Sequence, residues 1–229
     1  MVKSAQGKRP YHSPRREQQA AATRLAILEA AERLFLRDGY PATTMEAIAQ
    51  EAGVSLKTAY LPFVTKSGLL RALWDLRLKG DPGDAPVGRH EWFQQVIEEP
   101  DPARKLRLNA RNSRAAKTRI GGMFAVIRGA AEVDPDCDAL WQLIQTDFHA
   151  NQATIIESIR QRGGLRPELT PARGADILWT LNHPDVWLLL VGERGWSPAA
   201  YETWLAETSC AQLLGPSHHC LTGAKEPNR

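Results

Sequence analysis

Apolar residues recur every three to four positions along most of the chain, a spacing that predicts helices rather than strands. In "TRLAILEAAERLFLRDGY", Ile27, Ala30, Ala31, Leu34 and Phe35 form one stripe, with Arg24, Glu29, Glu32 and Arg33 largely off it. Gly39 and Pro41 mark where this first helix stops. "TTMEAIAQEAG" follows, with Thr44 as N-cap, Met45, Ile48, Ala49 and Ala52 on one face, and Gly53 as terminator. After a short turn, Ser55 caps a third helical segment, which Pro62 cuts off after Leu61. A proline has no N–H to donate and its ring crowds the carbonyl four residues back, here that of Thr58. Thr65 caps a fourth helix, "KSGLLRALWDLRLK", and "GDPGDAPVG" is a loop by composition.

The same period continues beyond that loop. "HEWFQQVIEE" is a short helix ended by Pro100, and residues 102–131 form a long one with a breaking point at Gly121-Gly122. Leu140, Ile144, Phe148, Ile155 and Ile159 mark another, ending at Gly163-Gly164. Residues 172–191 are apolar helix interrupted at His183-Pro184, and Ser197 with Pro198 at the first helical position opens the last helix. Strand signals are almost absent. The fold class is therefore all-α.

Composition narrows the class. Hydrophobic residues make up 43% of the 229 positions, enough for a substantial core. No run approaches the roughly 18 apolar residues of a membrane span, and the basic start lacks the apolar stretch of a secretory signal. Cys137, Cys210 and Cys220 are few, odd in number and irregularly spaced, which fits a reducing, cytoplasmic setting. Charge is uneven: residues 1–80 hold 13 Lys and Arg against 7 Asp and Glu, whereas residues 81–229 hold 16 against 19. The first 16 residues carry Lys3, Lys8, Arg9, Arg15 and Arg16 and no acid. A basic arm joined to a basic first segment suggests a polyanion partner.

Two short helices joined by a tight glycine-containing turn make a helix-turn-helix, whose second member enters the DNA major groove. Such a helix reads bases from its N-terminal part, here Leu56, Lys57 and Thr58, so it can end within two turns. Over roughly residues 20–70 the sequence resembles the tetracycline-repressor-like (TetR/AcrR) transcriptional regulators. The core of the resemblance is S-x-x-T-x-Y-x-x-F-x-x-K-x-x-L, met by Ser55, Thr58, Tyr60, Phe63, Lys66 and Leu69. Phe35, Gly39, Thr43-Thr44, Ile48, Ala49, Ala52, Gly53 and Val54 match as well. The resemblance implies that Thr44 and Lys66 meet phosphates, that Tyr60 touches the backbone, and that Lys57 and Thr58 face bases. The expected DNA-binding set is thus Thr44, Ser55, Leu56, Lys57, Thr58, Tyr60 and Lys66. The chain departs from the family at Leu61-Pro62, where a polar or aromatic residue followed by His or Tyr is more usual. Leu61 either meets a thymine methyl or packs on the first helix.

Beyond residue 80 the resemblance implies only a helical ligand-binding and dimerising domain. Residues 1–18 are expected as a disordered basic arm, 19–66 as the DNA-binding domain, 67–215 as the ligand-binding and dimerisation domain, and 216–229 as a disordered tail. Five of the seven tryptophans lie on apolar faces of the second domain. Met123, Phe124, Trp141, Gln145, Phe148 and Trp179 are candidate walls of an apolar cavity, with Asn151 and Asn182 as further polar orienters. "SHHC" at 217–220 is too little for a metal site, and no catalytic motif or cofactor fingerprint appears. The expected protein is a non-enzymatic, cytoplasmic homodimer that binds a palindromic double-stranded operator. A small apolar or amphipathic ligand releases it, and residues 172–191 and 198–214 form the subunit interface. No cofactor, metal or membrane partner is expected. The alternative is a helical small-molecule-binding protein or enzyme that keeps the three-helix module without reading DNA.

Overall fold

The computed structural model describes residues 14–79 and 87–216. The tail motif at 217–220 and most of the basic arm lie outside them. Among the described residues there is no strand, only an isolated bridge between Leu165 and Leu214. The chain divides into two compact units, residues 1–69 and 70–229.

In the first unit, α1 spans Pro14–Ala42, α2 Met45–Glu51 and α3 Leu56–Tyr60, and α4 begins at Lys66. Helix α1 starts inside the stretch expected as a disordered arm, so Arg15 and Arg16 are helical. The reason is local: Pro14 suits a first helical position, and Glu17 to Ala22 are strong helix formers, although no apolar stripe marks them. Gly39, at φ 78° and ψ 165°, kinks the far end. Ile27, Ala30, Ala31, Leu34 and Phe35 are buried as the stripe requires, together with Met45, Ile48, Ala49, Ala59 and Phe63.

In the second unit α4, which runs to Lys79, is followed by α5 (Glu91–Glu98), α6 (Pro102–Ala131), α7 (Pro135–Gln161), α8 (Pro171–Leu181), α9 (Pro184–Trp187) and α10 (Pro198–Leu213). A π-helical stretch, Leu188–Glu193, follows α9. Each of α6 to α10 places proline in its first turn behind a side-chain cap: Asp101, Asp134, Thr170, His183 and Ser197. Helix α6 runs unbroken through Gly121-Gly122, against expectation. Gly121 faces the Trp187 indole, and a Cβ there would lie 2.9 Å from Trp187 Nε1. The glycine serves close packing rather than a bend. The break at His183-Pro184 is present, between α8 and α9.

One core cluster joins α5, α6, α7, α8 and α10 through Phe93, Leu106, Ile155, Ile159, Leu178 and Leu213. A second holds Ala110, Trp187, Tyr201, Leu205 and Ala206. No helix among the described residues is long and apolar enough to cross a membrane.

Candidate functional site

The turn between α2 and α3 is built by backbone geometry that only glycine adopts easily. Gly53 has φ 67°, its N–H donates to Gln50 O, and the Val54 N–H donates to Ala49 O. This pair of bonds closes α2 and redirects the chain within two residues. Ser55 Oγ then accepts from the Thr58 N–H at 3.1 Å and starts α3. Helix α3 stops where Pro62 requires, and the Val64 N–H closes it on Tyr60 O at 2.9 Å. Thr65 Oγ1 accepts from the Gly68 N–H at 2.9 Å and starts α4.

This local chemistry decides which face of α3 meets solvent. Ala59 is buried, whereas Leu56, Lys57, Tyr60 and Leu61 are exposed, a set at positions i, i+1, i+4 and i+5 on one side of the helix. Thr58 is half-buried, and its hydroxyl lies 2.7 Å from Ser55 Oγ. The exposed ridge beside it runs through Lys57 and Leu61.

Thr44 and Lys66 sit in different surroundings. Thr44 is exposed and caps α2, accepting from the Ala47 N–H at 3.1 Å, a bond that leaves its own O–H able to donate. Lys66 is half-buried, with Nζ donating to Tyr40 O and Thr43 O at 2.9 Å each and lying 4.1 Å from the Tyr40 ring centre. The ammonium therefore neutralises the carbonyl-rich end of α1 and fixes the α1–α2 turn. Arg24 makes a comparable clamp, over the Phe63 ring at 4.5 Å with a 3.4 Å bond to Pro62 O.

Among the candidate cavity residues, Met123 and Phe124 are buried, and Phe124 meets Trp74 edge-on at 5.1 Å. Trp141, Gln145 and Phe148 are half-buried on α7. The structure brings Gln145 and Trp179 together around His183. The Asp185 N–H donates to His183 Nδ1 at 3.2 Å, so the ring proton sits on Nε2 and is given to Gln145 Oε1 at 3.0 Å. Burial lowers the His183 pKa, which favours this neutral form. With its oxygen held, the Gln145 amide turns its NH2 away. That nitrogen and Trp179 Nε1, on a ring 4.8 Å from His183, are buried donors without a protein partner. Among the described residues, no cluster of three or more His, Cys, Asp or Glu is placed to hold a metal.

Sequence reasoning missed one polar centre in the second unit. Lys117 is buried on α6, and its Nζ lies 2.7 Å from each of three neutral oxygens: the Asn182 carbonyl, Asn182 Oδ1 and the Tyr201 hydroxyl. Asn182 Nδ2 in turn donates to Ser113 Oγ. Asn182, expected as a ligand orienter, is thereby committed to this network. Desolvation pushes the lysine pKa well below its ordinary value and raises that of Tyr201.

Comparison with known proteins decides what the first unit is. Residues 27–73 match the family model of bacterial regulatory proteins, tetR family. Those residues therefore form a tetR-type DNA-binding domain, and the chain is a DNA-binding transcriptional regulator. The HTH-type transcriptional regulator TtgR of Pseudomonas putida is 29% identical over 184 residues, spanning 77% of this chain and 85% of TtgR. Two solved structures share the fold. NalD, the secondary repressor of the MexAB-OprM multidrug efflux pump in Pseudomonas aeruginosa, superposes with a TM-score of 0.67 at 23% identity, covering 86% of this chain and 98% of NalD. SmeT of Stenotrophomonas maltophilia, in its complex with triclosan, gives 0.69 at 19% identity, covering 91% and 99%.

Proposed function

We propose that the protein is a cytoplasmic homodimeric repressor, released from a palindromic operator by a small apolar or amphipathic ligand bound in its second unit. The observation that carries the DNA half of this reading is the exposed ridge of α3, with Lys57 projecting from a helix held rigidly by caps at both ends. Lys57 donates to guanine O6 and N7, while Tyr60 and the Thr44 hydroxyl meet the backbone. One such helix reads too few bases for useful specificity, so two copies bind together through α8 and α10.

The ligand half is supported by the two buried donors on Gln145 and Trp179, beside Phe148 and Trp141. An apolar ligand carrying a carbonyl or similar acceptor satisfies both polarity and shape there. The complex of SmeT with triclosan supports a small-molecule site in a chain of this fold. Ligand acts by favouring a dimer whose recognition helices no longer match the half-site spacing, so ligand and operator weaken each other reciprocally. Fluorescence anisotropy with DNA from upstream of the protein's own gene tests the reading. Affinity should fall steeply with salt, and Lys57→Ala should cost about 1–3 kcal/mol at one base pair and relax preference there. Salt-independent, sequence-blind association would favour a helical binding protein that does not read DNA.

A further inference from the structure

Leu61 and Val64 are the two most exposed large apolar residues of the described chain, at 73% and 76% exposure. Both lie next to the exposed ridge of α3 in sequence. A lone exposed leucine needs no explanation. Here, however, Leu56, Tyr60, Leu61, Pro62 and Val64 are all exposed within nine residues, continuous with the face that carries Lys57. Leu61 does not pack on α1, which removes one of the two roles open to it. It remains in right-handed helical geometry, at φ −53° and ψ −47°, and its N–H donates to Lys57 O. Its side chain therefore stands one helical turn beyond that of Lys57, on the same ridge. Val64, a β-branched residue at φ 62°, then turns the chain sharply away.

Neither Leu61 nor Pro62 offers a hydrogen-bond donor, so this end of the ridge gains nothing from a phosphate. The major groove presents one apolar group to such a surface, the C5 methyl of thymine. We propose that Leu61 is a specificity-determining residue that reads a thymine methyl next to the base contacted by Lys57; the inference rests on the DNA-reading role of α3. One helical turn advances about 5.4 Å along the axis, and stacked bases about 3.4 Å per step. The thymine thus lies within about two base pairs of the Lys57 position.

Selection of binding sites from a random-sequence duplex pool with the full-length protein identifies the half-site directly. Each thymine is then replaced in turn by deoxyuridine, which removes the methyl and leaves every hydrogen bond. The expected result is one position, within two base pairs of the site where Lys57→Ala relaxes preference, at which the replacement weakens wild-type binding about fourfold per half-site. Leu61→Ala should bind the thymine and deoxyuridine sites equally, at the level of wild type on deoxyuridine. Leu61→Met, which keeps an apolar reach, should retain the discrimination. Because Leu61 is so exposed, both variants should melt with wild type. A selected half-site with no methyl-sensitive position, or sensitivity that persists in Leu61→Ala, overturns the assignment while leaving Lys57 as a reader. Selection that enriches no sequence overturns the DNA-reading role as well.

Discussion

Replacing Lys117 by methionine isolates the contribution of one buried amine to stability. Lys117 is 5% exposed, and its Nζ lies 2.7 Å from three neutral oxygens rather than from a carboxylate; as a neutral amine it donates two bonds to the Asn182 oxygens and accepts the third from the Tyr201 hydroxyl. Desolvation holds its pKa well below 10.5 in the folded protein, while the unfolded chain keeps the ordinary value. Between those two values the unfolded state binds more protons than the native state. Stability from this group is therefore fully present above the unfolded pKa and is lost as pH falls through the folded one. One proton contributes at most about 1.4 kcal/mol per pH unit. Over one pH unit below the ordinary lysine value that is a gain of up to about 1.4 kcal/mol, or about 3–6 °C in midpoint for a chain of this size.

Methionine keeps the length of the stem and carries no proton, but it leaves the Asn182 oxygens without their donor and the Tyr201 hydroxyl without its acceptor. That loss costs about 1–3 kcal/mol and does not change with pH in this window. Tyr201 sets the upper limit: burial raises its pKa, so stability that it contributes is lost only once pH climbs above the ordinary tyrosine value of about 10. Urea unfolding of both proteins, followed by circular dichroism across this range, gives two stability curves. The wild-type curve should rise relative to the Lys117→Met curve as pH increases. Parallel curves would refute the reasoning, because they would mean that the amine binds its proton equally in both states.

Lys66→Ala should lower stability by about 1–3 kcal/mol, since two carbonyls lose their donor. The salt slope of DNA binding should stay within a few tenths of wild type if those carbonyls hold the ammonium in the complex too; a slope lowered by about one with unchanged melting would place Lys66 among the phosphate contacts. Thr44→Val keeps the shape but removes the cap, and thermal melting should report a loss of about 1 kcal/mol. Gly121→Val drives a β-branched side chain against Trp187 and should cost about 2 kcal/mol or more, with altered tryptophan fluorescence. An unperturbed emission spectrum would argue against that contact.

The helix-turn-helix is legible in the sequence because every step of it carries a local signal. Gly53, Ser55, Pro62 and Thr65 each act within four residues of their own position, so periodicity and capping rules reach them. The early start of α1 is not legible, because its first residues are polar on all sides and show no stripe. Propensity alone makes that helix. Gly121 reads as a breaker because its reason for being small, the Trp187 ring, lies 66 residues away in sequence. Lys117 is hidden for the same cause. It stands among Arg111, Arg114 and Arg119 in a stretch that reads as solvated, while Asn182 and Tyr201 lie 65 and 84 residues later.

Those two kinds of lysine can be told apart by salt. Lys57 is exposed, and in the proposed complex its interaction with a phosphate-lined groove is screened within about 8–10 Å at moderate ionic strength. Lys117 is buried among neutral dipoles, and its network is short-ranged, so added salt reaches it weakly. A change at Lys117 should therefore alter stability and its pH dependence while leaving the salt slope of operator binding intact. A change at Lys57 should do the reverse. If Lys117→Met shifts operator affinity at constant salt slope, the effect has entered through the second unit's conformational equilibrium, because no phosphate contact has been lost.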